Sequence, residues 1–281
     1  MAWLHTLERA ARWSLRRTGV QSRYVGTAHG AIHAYDAQGS GVLPALVLLH
    51  GISSSATSFG RLFGPLREAH RRVIALDALG HGFSDIPKVL QPQVIFAGLH
   101  EALGEMLDEP FVLFGNSMGG AMALRYGLEH PERLRGLILS SPAGAYMSEE
   151  EMRSFLTQFS MEKKEAAKAF VEKLYHQVPW YGPLLVPALR QQFLRPQIQQ
   201  FFHAASPDQL FTPEELASLK PPTMLLWGAS ERLMLPEHLA YFEAHLPENV
   251  RFERPERVGH CPHLERPKEL ARSIVHFVSS L

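Results

Sequence analysis

The sequence predicts an α/β fold: a mostly parallel central sheet flanked by helices and interrupted once by an all-helical insertion. Three observations carry that expectation. Short apolar runs recur along the chain with helix-forming segments between them, the pattern of strands joined by helical crossovers. One long stretch, 143–220, holds no strand candidate. The run FVLFGNSMGGAMALRYG, Phe111 to Gly127, passes from a strand-like to a helix-like segment through Gly-Asn-Ser-Met-Gly-Gly.

Residues 1–20 read as a short amphipathic helix, with Arg9, Arg12, Arg16 and Arg17 beside Trp3, Leu4, Leu7 and Leu15. Basic amphipathic helices lie on membrane surfaces. Weak peripheral membrane contact and packing against its own domain therefore both stand as expectations. The same stretch lacks the unbroken apolar core of a signal peptide. Residues 22–27 and 31–36 suit a hairpin closed by Ala28-His29-Gly30. ALVLLHG (45–51), RVIALDA (72–78), FVLFGNS (111–117), RGLILSS (135–141) and TMLLWGA (223–229) suit buried parallel strands, and VRFERPE (250–256) suits an edge strand. Helices are expected near 55–69, 93–108, 118–130, 236–246 and 267–280. Residues 21–142 and 221–281 would thus form the core, and 143–220 a helical cap or lid. Within that segment Ser148 and Glu151 form a capping-box pattern, 161–176 is rich in helix formers, and Thr212-Pro213-Glu214-Glu215 opens a last short helix.

Composition bounds the function. The 281 residues are 46% hydrophobic and 20% charged, with zero formal net charge. A nucleic-acid footprint would need a clustered basic face, and none is expected. Cys261 is the single cysteine, so no internal disulfide forms and a reducing compartment is allowed. No apolar run reaches membrane-span length. A cytoplasmic location is the resulting expectation.

The chemistry starts at the junction after Phe111–Gly115. A G-x-S-x-G between a strand and a helix is a nucleophile elbow. Gly115 and Gly119 leave room for a sharp turn and close helix packing, and Ser117 is displayed at its apex. A serine hydroxyl needs a base. That base should be a later histidine, with an acid between the two in chain order. GHCPHLERP, 259–267, offers His260, with His263 as competitor. His260-Cys261-x-His263 resembles a metal pair, yet further convergent ligands are lacking, and neither metal nor cofactor is expected. The aspartates are Asp36, Asp77, Asp85, Asp108 and Asp208, none of them between 223 and 260. Glu231, just past the strand at 223–229, is then the expected acid, while Glu237 suits a helix's first turn. The oxyanion donors should be the backbone N–H groups of Met118 and of Ile52, the latter after the His50-Gly51 turn. His50 is expected to brace those loops.

These blocks resemble the α/β-hydrolase superfamily in its lidded carboxylesterase and lipase-like form. HG at 50–51, DALGHGFSD at 77–85, GNSMGG at 115–120, WGASER at 227–232 and GHCPHLERP at 259–267 occur in the family's order. The chain departs from the family's usual aspartate at Glu231. The resemblance implies an α/β-hydrolase fold and a cofactor-free serine hydrolase with a Ser117-His260-Glu231 triad. Its substrate would be a small-molecule ester of short to medium acyl length, bordered by Gly51, Ser53 and Asn116. Segment 143–220 carries Phe155, Phe159, Phe170, Tyr175, Trp180, Tyr181, Phe193, Phe201 and Phe202, and some of these are expected to line an apolar acyl pocket. Perhydrolase or carbon–carbon hydrolase chemistry and a non-catalytic binding role are the alternatives the same fold allows.

Overall fold

The computed structural model describes residues 2–281, with side chains from Glu8 onward; the side chains of Trp3, Leu4 and Leu7 lie outside the described residues. In chain order the elements are α1 (Ala2–Arg17), β1 (Gln21–Thr27), β2 (Gly30–Gln38), β3 (Leu46–Leu49), α2 (Phe63–Ala69), β4 (Arg72–Leu76), α3 (Pro92–Met106), β5 (Phe111–Asn116), α4 (Met118–Glu129) and β6 (Leu134–Ser140). Then come α5 (Glu149–Thr157), α6 (Lys164–Leu174), α7 (Gly182–Phe193), α8 (Pro196–His203), α9 (Pro213–Ala217), β7 (Thr223–Leu226), α10 (Pro236–His245), β8 (Arg251–Glu253), α11 (Pro262–Glu265) and α12 (Pro267–Ser279).

Among the described residues the strands form one eight-stranded sheet in the order β1-β2-β4-β3-β5-β6-β7-β8. β1 and β2 are antiparallel, as are β2 and β4; the rest of the sheet is parallel. The short central strands β3 and β5 are buried along their whole length, as crossover helices on both faces require. Alternation splits their side chains. Leu46 and Leu48, with Val112 and Phe114, join Ile274 and Phe277 of α12 on one face. Val47, Leu49 and Leu113 join Ile95 and Leu99 of α3 and Met122 of α4 on the other. The period of two along a strand causes this division.

Between β6 and β7 every regular element is helical. Ser148 caps α5: its Oγ accepts from the Glu151 N–H at 3.3 Å, and Glu151 Oε2 accepts from the Ser148 N–H at 2.8 Å. Thr212 and Glu215 repeat the exchange at α9, at 3.2 and 2.9 Å. The helix expected across 161–176 is shorter, Lys164–Leu174. The one expected near 55–69 is broken into a 3-10 turn, Ala56–Phe59, and α2. The Ala56 N–H donates to the buried Asp77 carboxylate at 2.7 Å, which fixes the start of this turn to β4's end.

α1 packs against its own domain. Leu15 is buried beside Gly60, and the Arg12 guanidinium lies 4.7 Å from the centre of the Phe83 ring. Trp13 stays 61% exposed. No helix among the described residues is long and apolar enough to cross a membrane.

Candidate active site

β5 ends at Asn116 and α4 begins at Met118, so the turn between them is a single residue. Ser117 occupies it at φ 57 and ψ −118, a conformation that costs energy for a non-glycine residue. Its neighbours must be glycine. A Cβ on Gly115 would lie 2.1 Å from the Gly119 carbonyl oxygen, and one on Gly119 would lie 2.3 Å from that of Leu49. The backbone of Ser117 is pinned by its N–H to Ser140 O at 3.0 Å and by Ala143 N–H to its own carbonyl at 3.1 Å. Met118, first in α4, presents one of the N–H groups that lack an intrahelical acceptor.

Glu231 lies in the loop after β7, with its side chain 2% exposed. Its Oε1 accepts from the N–H groups of Leu233 at 2.7 Å and Met234 at 3.1 Å. Its Oε2 lies 2.7 Å from Nδ1 of His260. Burial alone would raise the carboxyl's pKa, but the facing His260, by charge and hydrogen bond, and the Leu233 N–H outweigh it and hold the pKa below the ordinary value. An ionised carboxylate only accepts, so Nδ1 of His260 carries a proton, and Nε2 is the nitrogen left to face the nucleophile.

The His260 loop is anchored from three sides. Its N–H donates to Leu174 O at 3.0 Å, at the end of α6. Its carbonyl accepts from Asn116 Nδ2 at 2.9 Å. The preceding Gly259 N–H donates to Glu265 at 2.6 Å. Asn116, expected beside the substrate, thus spends its amide on Ser140 O and His260 O while also bordering the cavity. His263 does not meet Glu231; it is buried against the Phe59 ring, and burial followed by the nearby His260 pushes its pKa down to about 3. Glu237 sits in the first turn of α10.

The loop carrying Ile52 rests on a buried polar cluster that sequence reading missed. Asp77, fully buried, accepts from Ala56 N–H at 2.7 Å, Phe83 N–H at 3.0 Å and His33 Nδ1 at 2.7 Å. Burial would raise its pKa, but the His33 hydrogen bond and nearby His50 lead the effects that hold it below the ordinary value. His50 donates through Nδ1 to Gly51 O at 2.8 Å and accepts at Nε2 from Ala78 N–H at 3.1 Å. It braces the loop, as expected. The only hint in sequence was the aspartate opening DALGHGFSD; its histidine partner lies 44 residues away.

Two cavities meet at Ser117. The first, about 440 Å³, runs along α4 past Met118, Ala121 and Met122 and is roofed by Phe155, Phe159 and Phe202. The second, about 410 Å³, is bordered by Gly51, Ser53, Asn116 and His260. Ser117 and Ile52 line both. Glu231 lines neither and stands behind His260. Of the aromatic residues in 143–220, Phe201 joins the first cavity, Phe170, Tyr175 and Phe193 line the second, and Trp180 and Tyr181 line neither.

Comparison with known proteins gives this geometry a context. A 1-acylglycerol-3-phosphate O-acyltransferase of Arabidopsis thaliana is 34% identical over 154 residues, 53% of this chain and 35% of that protein. The chain therefore spans about a third of that relative's length. Lipase 1 of Psychrobacter immobilis is 25% identical over 99% of this chain and 90% of its own length. The crystal structure of carboxylesterase CesB from Bacillus subtilis superposes with a TM-score of 0.80 at 20% identity, covering 99% of this chain and 97% of that one, a likeness of fold. Residues 46–273 match the model of the Alpha/beta hydrolase family, a span that takes in the elbow, the Glu231 loop and the His260 loop, and the chain belongs to that family.

Proposed function

We propose that the protein is a serine hydrolase of carboxylic esters. The observation that carries this reading is the His260–Glu231 pair at 2.7 Å beside a cavity that Ser117 also lines. Ser117 Oγ attacks the ester carbonyl carbon and passes its proton to Nε2 of His260. The N–H groups of Ile52 and Met118 hold the developing oxyanion. His260 returns the proton to the departing alkoxide, and the alcohol leaves. Water then attacks the acyl-enzyme with His260 again as base, releasing the acid and regenerating Ser117. No step calls on a cofactor.

The 143–220 segment serves in this reading as the cap over the site. Aromatic residues of the segment, Phe155 and Phe202 among them, line the 440 Å³ cavity, which favours hydrophobic acyl groups of short to medium length. Its attachment supports a fixed position near the triad: His176 Nδ1 meets Ser230 Oγ at 2.7 Å, and Leu174 O accepts the His260 N–H at 3.0 Å.

Ser117→Ala tests the proposal. Hydrolysis of p-nitrophenyl esters and labelling by a fluorophosphonate should both vanish with the fold intact by circular dichroism. Turnover near the parental rate in this variant would refute the assignment. Labelling of the parent without turnover of any ester would point to another reaction of the same nucleophile, such as carbon–carbon bond hydrolysis.

A further inference from the structure

The two cavities that meet at Ser117 are not equivalent, because His260 lines only the second. In acylation the Ser117 Oγ–acyl carbon bond forms, the acyl carbon–alkoxide bond breaks, and the proton taken from Oγ moves from Nε2 of His260 to the alkoxide oxygen. The departing oxygen must therefore lie within hydrogen-bond reach of His260. That places the alcohol half of the ester in the second cavity and leaves the first for the acyl half.

At about 410 Å³ the second cavity is nearly as large as the first. Methanol or ethanol would leave it mostly unfilled, whereas a bulky alcohol would gain apolar contact there and add to transition-state binding. One wall is aliphatic, with Leu185 and Leu189 of α7. Another is the hydroxyl-bearing run Ser53, Ser54, Ser55, Thr57 and Ser58. No lysine or arginine lines it among the described residues, so an anionic alcohol would be buried without a counter-charge. α6 and the His260 loop also line it, and α1 contributes Glu8 and Ala11.

We infer that the second cavity is the alcohol subsite, that it selects bulky alcohols without negative charge, and that α1 is a specificity-determining part of its wall. The inference rests on the ester-hydrolase reading. Ala11 and Leu189 act here by direct contact with the leaving group.

The test uses the full-length chain and two ester series. One holds hexanoate constant and varies the alcohol: methyl, cyclohexyl and 2-phenylethyl. The other holds methanol constant and varies the acyl chain from butanoate to decanoate. For Ala11→Trp, kcat/KM on the cyclohexyl and phenylethyl esters should fall about 10- to 100-fold relative to that on methyl hexanoate. The acyl-length profile should not move. Met122→Trp, in the first cavity, should do the reverse and shorten the preferred acyl chain. Leu189→Trp narrows the alcohol cavity from α7 and reads the same effect should Ala11→Trp fail to fold. Equal loss across all alcohols, no loss, or a shifted acyl profile in Ala11→Trp and Leu189→Trp overturns the inference while ester hydrolysis stands. A parent enzyme that hydrolyses none of these esters overturns the ester-hydrolase reading and this inference with it.

Discussion

Oε2 of Glu231 and Nδ1 of His260 lie 2.7 Å apart, although they belong to two loops 29 residues apart. The other oxygen of Glu231 is held by the Leu233 and Met234 N–H groups. The carboxylate is thus fixed at both ends and can orient only one face of the imidazole.

Glu231→Gln keeps the shape but presents a neutral amide to Nδ1, which removes the charge that stabilises the imidazolium. The expected loss is about 10²- to 10⁴-fold in kcat with a smaller change in KM. Glu231→Asp should retain partial activity, because the shorter side chain reaches less far toward His260. Steady-state kinetics on one ester decide the matter: a Gln variant above half the parental kcat would place the acid elsewhere.

Asp77 ties the segment after Ile52 to β2, accepting from the Ala56 N–H and from His33. Asp77→Ala leaves those two donors and the Phe83 N–H buried without their acceptor. The expected cost is about 3–5 kcal/mol of stability, read as a lowered urea midpoint. An unchanged midpoint would mean that water replaces the carboxylate.

Gly119 and Gly104 make a matched pair of helical glycines. A Cβ on Gly119 meets the Leu49 carbonyl oxygen at 2.3 Å, while nothing lies within 4 Å of one on Gly104. Gly119→Ala should destroy folding or displace the elbow and abolish activity. Gly104→Ala, within α3, should raise stability by about 0.5–1 kcal/mol. Thermal unfolding of both variants tests the contrast, and equal effects would contradict the packing described.

His81 and His263 are buried, and burial pushes the pKa of each down to about 3. In the unfolded chain each titrates near 6.5. Between those values the unfolded state binds protons that the folded state refuses, so stability must fall as pH drops from about 6.5 toward 3. Above that window these two groups contribute no pH dependence. His263→Phe should flatten the acid-side decline in unfolding free energy. A variant with the parental slope would show that His263 takes up its proton within the folded state.

Sequence alone determined the elements whose cause is local. The apolar runs of β3 and β5, the capping boxes at Ser148 and Thr212, and the glycines around Ser117 each carry their reason within a few residues. Chain order and the absence of aspartate from 223–260 singled out Glu231 and His260 as the expected pair, and the structure sets them at 2.7 Å. Only the tertiary structure decided the rest. Asn116 bonding the His260 carbonyl across 144 residues, and His33 meeting Asp77 across 44, follow from the order of strands in the sheet, which no local period encodes. The 3-10 turn at 56–59 is likewise fixed from a distance, since the Asp77 carboxylate accepts its first N–H. The two cavities sharing Ser117, one of them lined in part by α1, exist only where separate elements meet. Periodicity specifies which face of an element is buried, whereas the space left between packed elements depends on how all of them come together.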